Sequence, residues 1–195
     1  MKTIKFLSVL LTFIFMLSST VHSQTRKKKP TYPQWSINPI GGVSLPIGTF
    51  GDEFKTGPSF GLDVSYKVNK EVGFYVEGAY NIFASKLGGA AADGKYLEYT
   101  IGPRYYFTAK NLKSAIFLEA GLGGYSFTQD AYAVNDSTTT GELTDSKFGF
   151  NAGLGAILNL GRDVDFIVKV KYHTILTPDG SKSYISPMLG IDIRL

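Results

Sequence analysis

Between Lys147 and His173 the chain alternates with a period of two, and that alternation leaves few folds open to it. Phe148, Phe150, Ala152, Leu154, Ala156, Leu158 and Leu160 share one parity, while Gly149, Asn151, Gly153, Gly155 and Asn159 share the other. Such a pattern predicts strand. After Gly161-Arg162-Asp163 it resumes, with Val164, Phe166, Val168, Val170 and Tyr172 opposed by Asp165, Lys169, Lys171 and His173, and with Ile167 as the apolar exception. The stretch reads as a hairpin of two long strands. A soluble sandwich would turn the apolar face inward and leave the polar face in bulk water. Here the polar face is built of small residues and then three cations, and small residues suit a crowded interior. The apolar face is therefore expected to meet lipid and the polar face to line a narrow lumen.

Residues 1–23 have the layout of an export signal: Lys2 and Lys5, an apolar run from Phe6 to Leu17, and a cleavage site at Val21-His22-Ser23, so that processing is expected after about Ser23. The apolar run is too short for a membrane-spanning helix, which needs about 20 residues. Residues 24–34 hold two prolines and the cluster Arg26-Lys27-Lys28-Lys29, without periodicity, and read as a flexible basic leader. Contact of this leader with lipid head groups or cell-wall polymer is weighed against a plain solvated tail. Removing the signal takes two lysines from a formal net charge of +4 and leaves +2; without the basic cluster the remainder carries −2. The other basic residues are interleaved with acids, so no nucleic-acid partner is expected. The chain has no Cys, so an exported fold cannot rely on disulfides.

Residues 35–195 parse into eight strands, each of about the 9 to 11 residues that a tilted strand needs to cross a bilayer. They are expected at 35–45, 59–68, 72–83, 96–107, 114–127, 147–160, 164–173 and 184–195, and no helical period is evident among them. The cleanest alternation sets Phe60, Leu62, Val64, Tyr66 and Val68 against Ser59, Gly61, Asp63, Ser65 and Lys67. Connections alternate between short ones, at 69–71, 108–113 and 161–163, and long ones rich in Gly, Asp, Ser and Thr, at 46–58, 84–95, 128–146 and 176–183. An up-and-down barrel with different tasks at its two ends has this rhythm. Outward aromatic residues fall at both strand ends: Trp35, Tyr66, Phe74, Tyr105, Phe107 and Phe166 toward the short turns, and Phe60, Tyr80, Tyr99, Phe148, Phe150 and Tyr172 toward the long loops. Two such belts are expected where rings sit at two membrane interfaces. The fold class that follows is all-β, a transmembrane eight-stranded antiparallel up-and-down barrel behind a signal peptide.

On these residues the chain from Trp35 to Leu195 resembles the small eight-stranded outer-membrane barrels of the OmpA and OmpX type. Its last strand resembles the assembly signal of such proteins, with Gly190 followed by Ile193 and Leu195, and differs in ending on Leu195 rather than an aromatic residue and in carrying Met188. The resemblance implies a place in the outer membrane of a Gram-negative bacterium, at the cell surface. It also implies folding by the outer-membrane assembly machinery with periplasmic chaperones, and neighbours in outer-membrane lipid and lipopolysaccharide. No peptidoglycan-binding domain is expected after the barrel.

Inward positions carry the acids Asp63, Glu77, Glu98, Glu119 and Asp192 and the bases Lys67, Arg104, Lys169, Lys171 and Arg194, an expected balance of five and five. A barrel of eight strands is only just wide enough for its side chains to fill it, and buried charge persists when paired. An ion-pair network filling the lumen is therefore expected. The competing idea is a narrow path for ions or water.

Catalysis is not expected. His173 is the single histidine outside the signal, so a metal site of several histidines is not available, and no cofactor is implied. Some barrels that resemble this one modify lipid A with a serine, a histidine and a carboxylate. His173 stands in Tyr172-His173-Thr174-Ile175, without a nearby Ser, on the inward parity. Gly121-Leu122-Gly123 and Gly153-Leu154-Gly155 lack the third glycine and the helix of a dinucleotide site, and read as space in the lumen. The acids Asp130, Asp136, Glu142 and Asp145 of the longest loop fit no calcium-loop spacing. The expected role is that of a structural and interaction protein whose outer loops meet a surface ligand. The alternatives are a small passive porin-like channel and, more distantly, a lipid A-modifying enzyme or a soluble lipocalin-like carrier.

Overall fold

A computed structural model describes residues 32–86, 93–108, 114–129, 133–135, 138–139, 143–161, 163–178 and 180–195. The signal and most of the basic leader, and Asp130, Asp136 and Glu142 of the longest loop, lie outside the described residues. The strands are β1 (Gln34–Ile47), β2 (Gly57–Lys67), β3 (Val72–Phe83), β4 (Gly94–Thr108), β5 (Ser114–Gln129), β6 (Ala133–Asn135), β7 (Thr138–Thr139), β8 (Leu143–Asn159), β9 (Val164–Thr177) and β10 (Gly180–Arg194). One short helix, α1 (Thr49–Glu53), follows β1.

Eight of these strands form a closed antiparallel barrel in the order β1-β10-β9-β8-β5-β4-β3-β2. Closure is made where the chain's two ends meet: Ile37 pairs with Ile193 and Leu45 with Ile185. Every other neighbour in the ring is also a neighbour among the barrel strands in sequence, the up-and-down topology that the connection lengths imply. A ring without edges leaves no row of unpaired N–H and C=O groups, which is what a strand needs in lipid.

The alternation carries through to burial. Ser36, Asn38, Ser59, Asp63, Ser65, Glu77, Asn81, Asn151, Lys169, Lys171 and Ser186 are buried inside. Leu62, Val76, Ile101, Leu118, Leu122, Leu154, Val170 and Leu189 are exposed on the outside. This inversion of a soluble protein's pattern needs an apolar medium around the barrel. The lumen glycines make room for rings opposite them. A Cβ at Gly155 would stand 2.2 Å from the Phe117 ring, and one at Gly121 2.2 Å from the Tyr75 hydroxyl. At Gly102 and Gly123 the limit is the neighbouring backbone itself, since added Cβ atoms would come 1.8 Å from the Ala120 and Tyr99 carbonyl oxygens.

Besides α1, which no helical period announces, the structure adds two features to the expected pattern. Within the longest loop, β6 and β7 pair as a small two-stranded sheet apart from the barrel. At the same rim the β2–β3 ladder changes register: Ser59 pairs with Asn81, whereas beyond it Phe54 pairs with Ser85. Continuing the barrel register would set Lys55 opposite Ser85, so the ladder has slipped by one residue, and such a slip exchanges the faces of a strand. Phe54, which shares the parity of lipid-facing Phe60, is thereby turned inward and is 6% exposed.

The protein refolded into detergent is expected to migrate differently in SDS before and after boiling, because a closed ring resists SDS; identical mobility would contradict the closed barrel. Gly123→Ala is expected to destabilise it by about 1–3 kcal/mol, the usual cost of forcing atoms into filled space, measured as a lower urea midpoint in micelles.

Candidate functional site

Buried side chains stack in successive layers inside the barrel, and the central one is ionic. Asp63 on β2 and Glu77 on β3 are directly opposite each other in the ladder. Two like charges in that relation destabilise a sheet unless a cation stands between them. Lys169 reaches across from β9 and does so: its Nζ donates to Asp63 Oδ2 at 2.9 Å and also to Glu77 Oε2. Arg104 on β4 donates through Nη2 to Asp63 and through Nε to Glu119 Oε2 at 2.7 Å, so one guanidinium joins two more strands. Lys171 adds a contact to Glu77 Oε1 at 3.2 Å and one to Glu119 Oε1 at 3.8 Å. All six side chains are fully buried, three acids against three bases. The Arg104 guanidinium also faces the rings of Phe117 at 4.5 Å and Tyr75 at 5.0 Å, and Asn38 donates to the second Asp63 oxygen at 2.8 Å.

Toward the long-loop rim the next layer is polar and aromatic. Glu98 Oε2 accepts from the Tyr184 hydroxyl and from Asn81 Nδ2 at 3.2 Å. His173 stacks on Tyr184 with ring centroids 4.3 Å apart and planes within 6°, its Nδ1 3.1 Å from the Tyr125 hydroxyl and 3.6 Å from Glu98. Above it Phe50, Phe54, Phe83, Tyr96, Tyr125, Phe127, Ile175 and Tyr184 form one buried cluster. Phe50 comes from α1 and is fully buried, so the loop after β1 folds back into the mouth of its own barrel. Lys182 holds it there from β10: its Nζ lies 5.6 Å from the centroids of both Phe50 and Phe127, and 3.5 Å from Glu53 Oε2.

Toward the short-turn rim the layer is apolar, with Ile40, Tyr106, Phe117, Ile157, Ile167 and Met188 buried together and Lys67 Nζ 4.4 Å over the Tyr106 ring. Beyond it Asp165 accepts from Asn159 Nδ2 at 2.7 Å and from Arg194 Nη2 at 3.2 Å, and it pairs in the ladder with buried Asp192.

Of the ten charged residues expected in one network, six are brought together in the central layer. Lys67, Asp192 and Arg194 gather at the short-turn end, and Glu98 sits with tyrosines and His173 at the other. The expected balance of five acids and five bases omitted Asp165, which is 6% exposed, so the inward carboxylates among the described residues number six; His173 is buried toward the opposite end, beside Glu98. Parity could have shown this, because Asp165 alternates in step with Lys169. The apolar inward residues Ile40, Ile157, Ile167 and Met188 break the alternation in sequence and are explained only by the layer they form together. Phe50 and Phe54 carried no signal, since both belong to a connection.

The aromatic residues expected at two belts all lie on the outer face. Trp35, Phe60, Phe74, Tyr80, Tyr99, Tyr105, Phe107, Phe148, Phe150 and Tyr172 are exposed, and Tyr66 and Phe166 are half-buried, Tyr66 against Trp35 at 4.7 Å. Gly190, of the expected assembly signal, lies in β10 against Ile40, and Leu195 N donates to Trp35 O at the seam. Among the described residues no group of three or more His, Asp or Glu is placed to hold a metal ion.

The family model of the outer membrane protein beta-barrel domain matches residues 10–187. Neisserial surface protein A superposes with a TM-score of 0.64 at 13% identity, covering 83% of this chain and 97% of its own. OprG of Pseudomonas aeruginosa superposes with a TM-score of 0.61 at 18% identity, covering 87% and 99%. Ail of Yersinia pestis, solved in complex with the heparin analogue sucrose octasulfate, does so with a TM-score of 0.53 at 19% identity, covering 85% and 100%. A search of curated protein sequences finds no match.

Removing the cation between Asp63 and Glu77 leaves Arg104 and Lys171 alone against three buried carboxylates, so one buried negative charge goes uncompensated. Lys169→Met is expected to cost about 3–5 kcal/mol, the usual penalty for breaking a buried pair from one side. Urea titration in micelles measures it, with exposed Lys70→Met as the substitution that leaves the midpoint unchanged.

Proposed function

The chain belongs to the outer membrane protein beta-barrel domain family, and from that membership we propose that it is a structural and interaction protein of the outer membrane, with a closed lumen and working outer loops. The observation that carries this reading is the filling of the lumen by three successive buried layers: apolar, ionic and aromatic. An ion passing through would have to displace Phe50, separate Lys169 and Arg104 from their carboxylates and part the Ile40–Met188 layer. Each of those steps leaves buried charge or apolar surface uncompensated. The network of Asp63, Lys67, Glu77, Glu98, Arg104, Glu119, Lys169, Lys171, Asp192 and Arg194 acts in this reading as scaffold, and not as a path or a catalytic set.

In such barrels the short turns face the periplasm and the long loops the exterior. The exterior end here therefore carries α1, the β6–β7 sheet and the connections at 84–93 and 178–180. A rigid cylinder that presents irregular segments is the common arrangement for recognition. The structure of Ail in complex with sucrose octasulfate supports the idea that a barrel of this fold can take a ligand. The partners that fit are outer-membrane lipid and lipopolysaccharide around the aromatic belts, a surface ligand on the loops, and, during biogenesis, periplasmic chaperones and the assembly machinery acting on the strand that ends in Gly190, Ile193 and Leu195. An enzymatic role has no support in the lumen, because His173 is enclosed by Tyr125, Glu98 and Tyr184 rather than set beside an accessible nucleophile.

In planar bilayers the protein is expected to give little steady conductance, and large stable steps would instead support the passive channel. Deleting residues 130–142, which lie beyond the barrel strands, is expected to abolish binding of a surface partner while leaving the heat-dependent mobility shift in place. Retained binding would move recognition to the other loops.

A further inference from the structure

The register slip that turns Phe54 into the mouth has a counterpart on the outside. With Phe54 and Ser85 facing inward as a pair, the residues beside them, Lys55 and Lys86, face outward together. The backbone fixes both: Lys55 N donates to Ala84 O at 2.8 Å and Lys86 N to Glu53 O at 2.9 Å. Between them opens a recess of about 340 Å³ lined by Pro46, Gly51, Phe54, Lys55, Thr56 and Lys86. Among the described residues its lining includes two lysines and a threonine and no acid, and Asp93 nearby accepts from Ser85 N at 3.1 Å. The Lys86 ammonium also donates to Gly51 O, which aims it across the recess. Glu53, the nearest acid along the chain, is engaged instead by Lys182 at 3.5 Å.

The place of this recess matters as much as its chemistry. Lys86 continues the outward row that begins with Tyr80, and Thr56 continues that of Phe60, two rings exposed toward the long-loop rim. The outward members of its lining, Lys55, Thr56 and Lys86, therefore stand just beyond the outer aromatic residues, at the level of the lipid head groups, with inward-turned Phe54 behind them. We propose that Lys55, Thr56 and Lys86 form a binding site for a phosphoryl group of an outer-leaflet glycolipid. Two lysines whose main chain is held by backbone hydrogen bonds supply point charges, and the hydroxyl a neutral donor. The site deepens the interaction reading and rests on the outer-membrane placement, not on the long loop.

The test is the acetylation rate of individual lysines in the refolded full chain, followed by mass spectrometry in phosphorus-free maltoside micelles. With a bis-phosphorylated glucosamine-disaccharide lipid added, Lys55 and Lys86 are expected to react roughly fivefold more slowly, the effect of one favourable ion contact near an anionic surface. Lys70, at the opposite rim, should keep its rate. The same lipid stripped of phosphate should give no protection, and the double variant Lys55→Gln/Lys86→Gln should lose lipid adducts in native mass spectra while keeping its heat-dependent mobility. Equal rates with both lipids would overturn the site. Protection by inorganic phosphate alone, as strong as that by the lipid, would overturn the lipid source. Protection that persists after deletion of residues 130–142 separates this site from any partner on the long loop; its loss in that variant would overturn the assignment to these three residues.

Discussion

Closure of the backbone ring is the constraint on which the rest depends. In lipid each strand must find hydrogen-bond partners on both sides, and the chain meets this by pairing β1 with β10 after eight spans. Eight strands then enclose a lumen no wider than its own side chains can fill. That geometry explains why glycines recur on the inward parity. Phe117 and Tyr75 occupy space that a Cβ at Gly155 or Gly121 would contest.

Within so narrow a lumen, six charges from five strands converge on one level. Asp63 and Glu77 are held opposite each other by the ladder, and only a cation arriving from the far side of the ring makes that register tolerable. Lys169 and Arg104 thus tie β9 and β4 to β2, β3 and β5 through groups far apart in sequence. Buried ion pairs are weak sources of net stability compared with apolar packing, but breaking one is costly. The pairs join five strands at one level, with apolar and aromatic layers packed above and below. On the proposed reading recognition falls to the outer surface, where α1, the loops and the recess beside Lys55 and Lys86 lie.

Much of this was legible in the residues. Hairpins show as parity interrupted by short turns, and the strand ends come out close to expectation, with β10 reaching back to Gly180 and β9 running on to Thr177. The inward charges were legible too, because a polar residue on an inward parity has nowhere else to point. What parity cannot carry is a change of parity. The slip between Ser59–Asn81 and Phe54–Ser85 reverses faces without any mark in composition, and it moves Phe54 from the outside to the mouth. Likewise α1 has only five residues, too few to display a helical period, and its burial of Phe50 depends on rings contributed by β3, β4 and β10.

Local pattern alone therefore determined the class of structure: strands of period two, spanning length, alternating connections and an apolar exterior. Those properties are decided by side chains one or two positions apart, so they are written along the chain. Which carboxylate meets which cation, why Ile167 and Met188 interrupt the polar parity, and how the first loop returns into the lumen were decided only by closure. Each joins residues from strands on different sides of the ring, and their distances exist only once β10 has paired with β1.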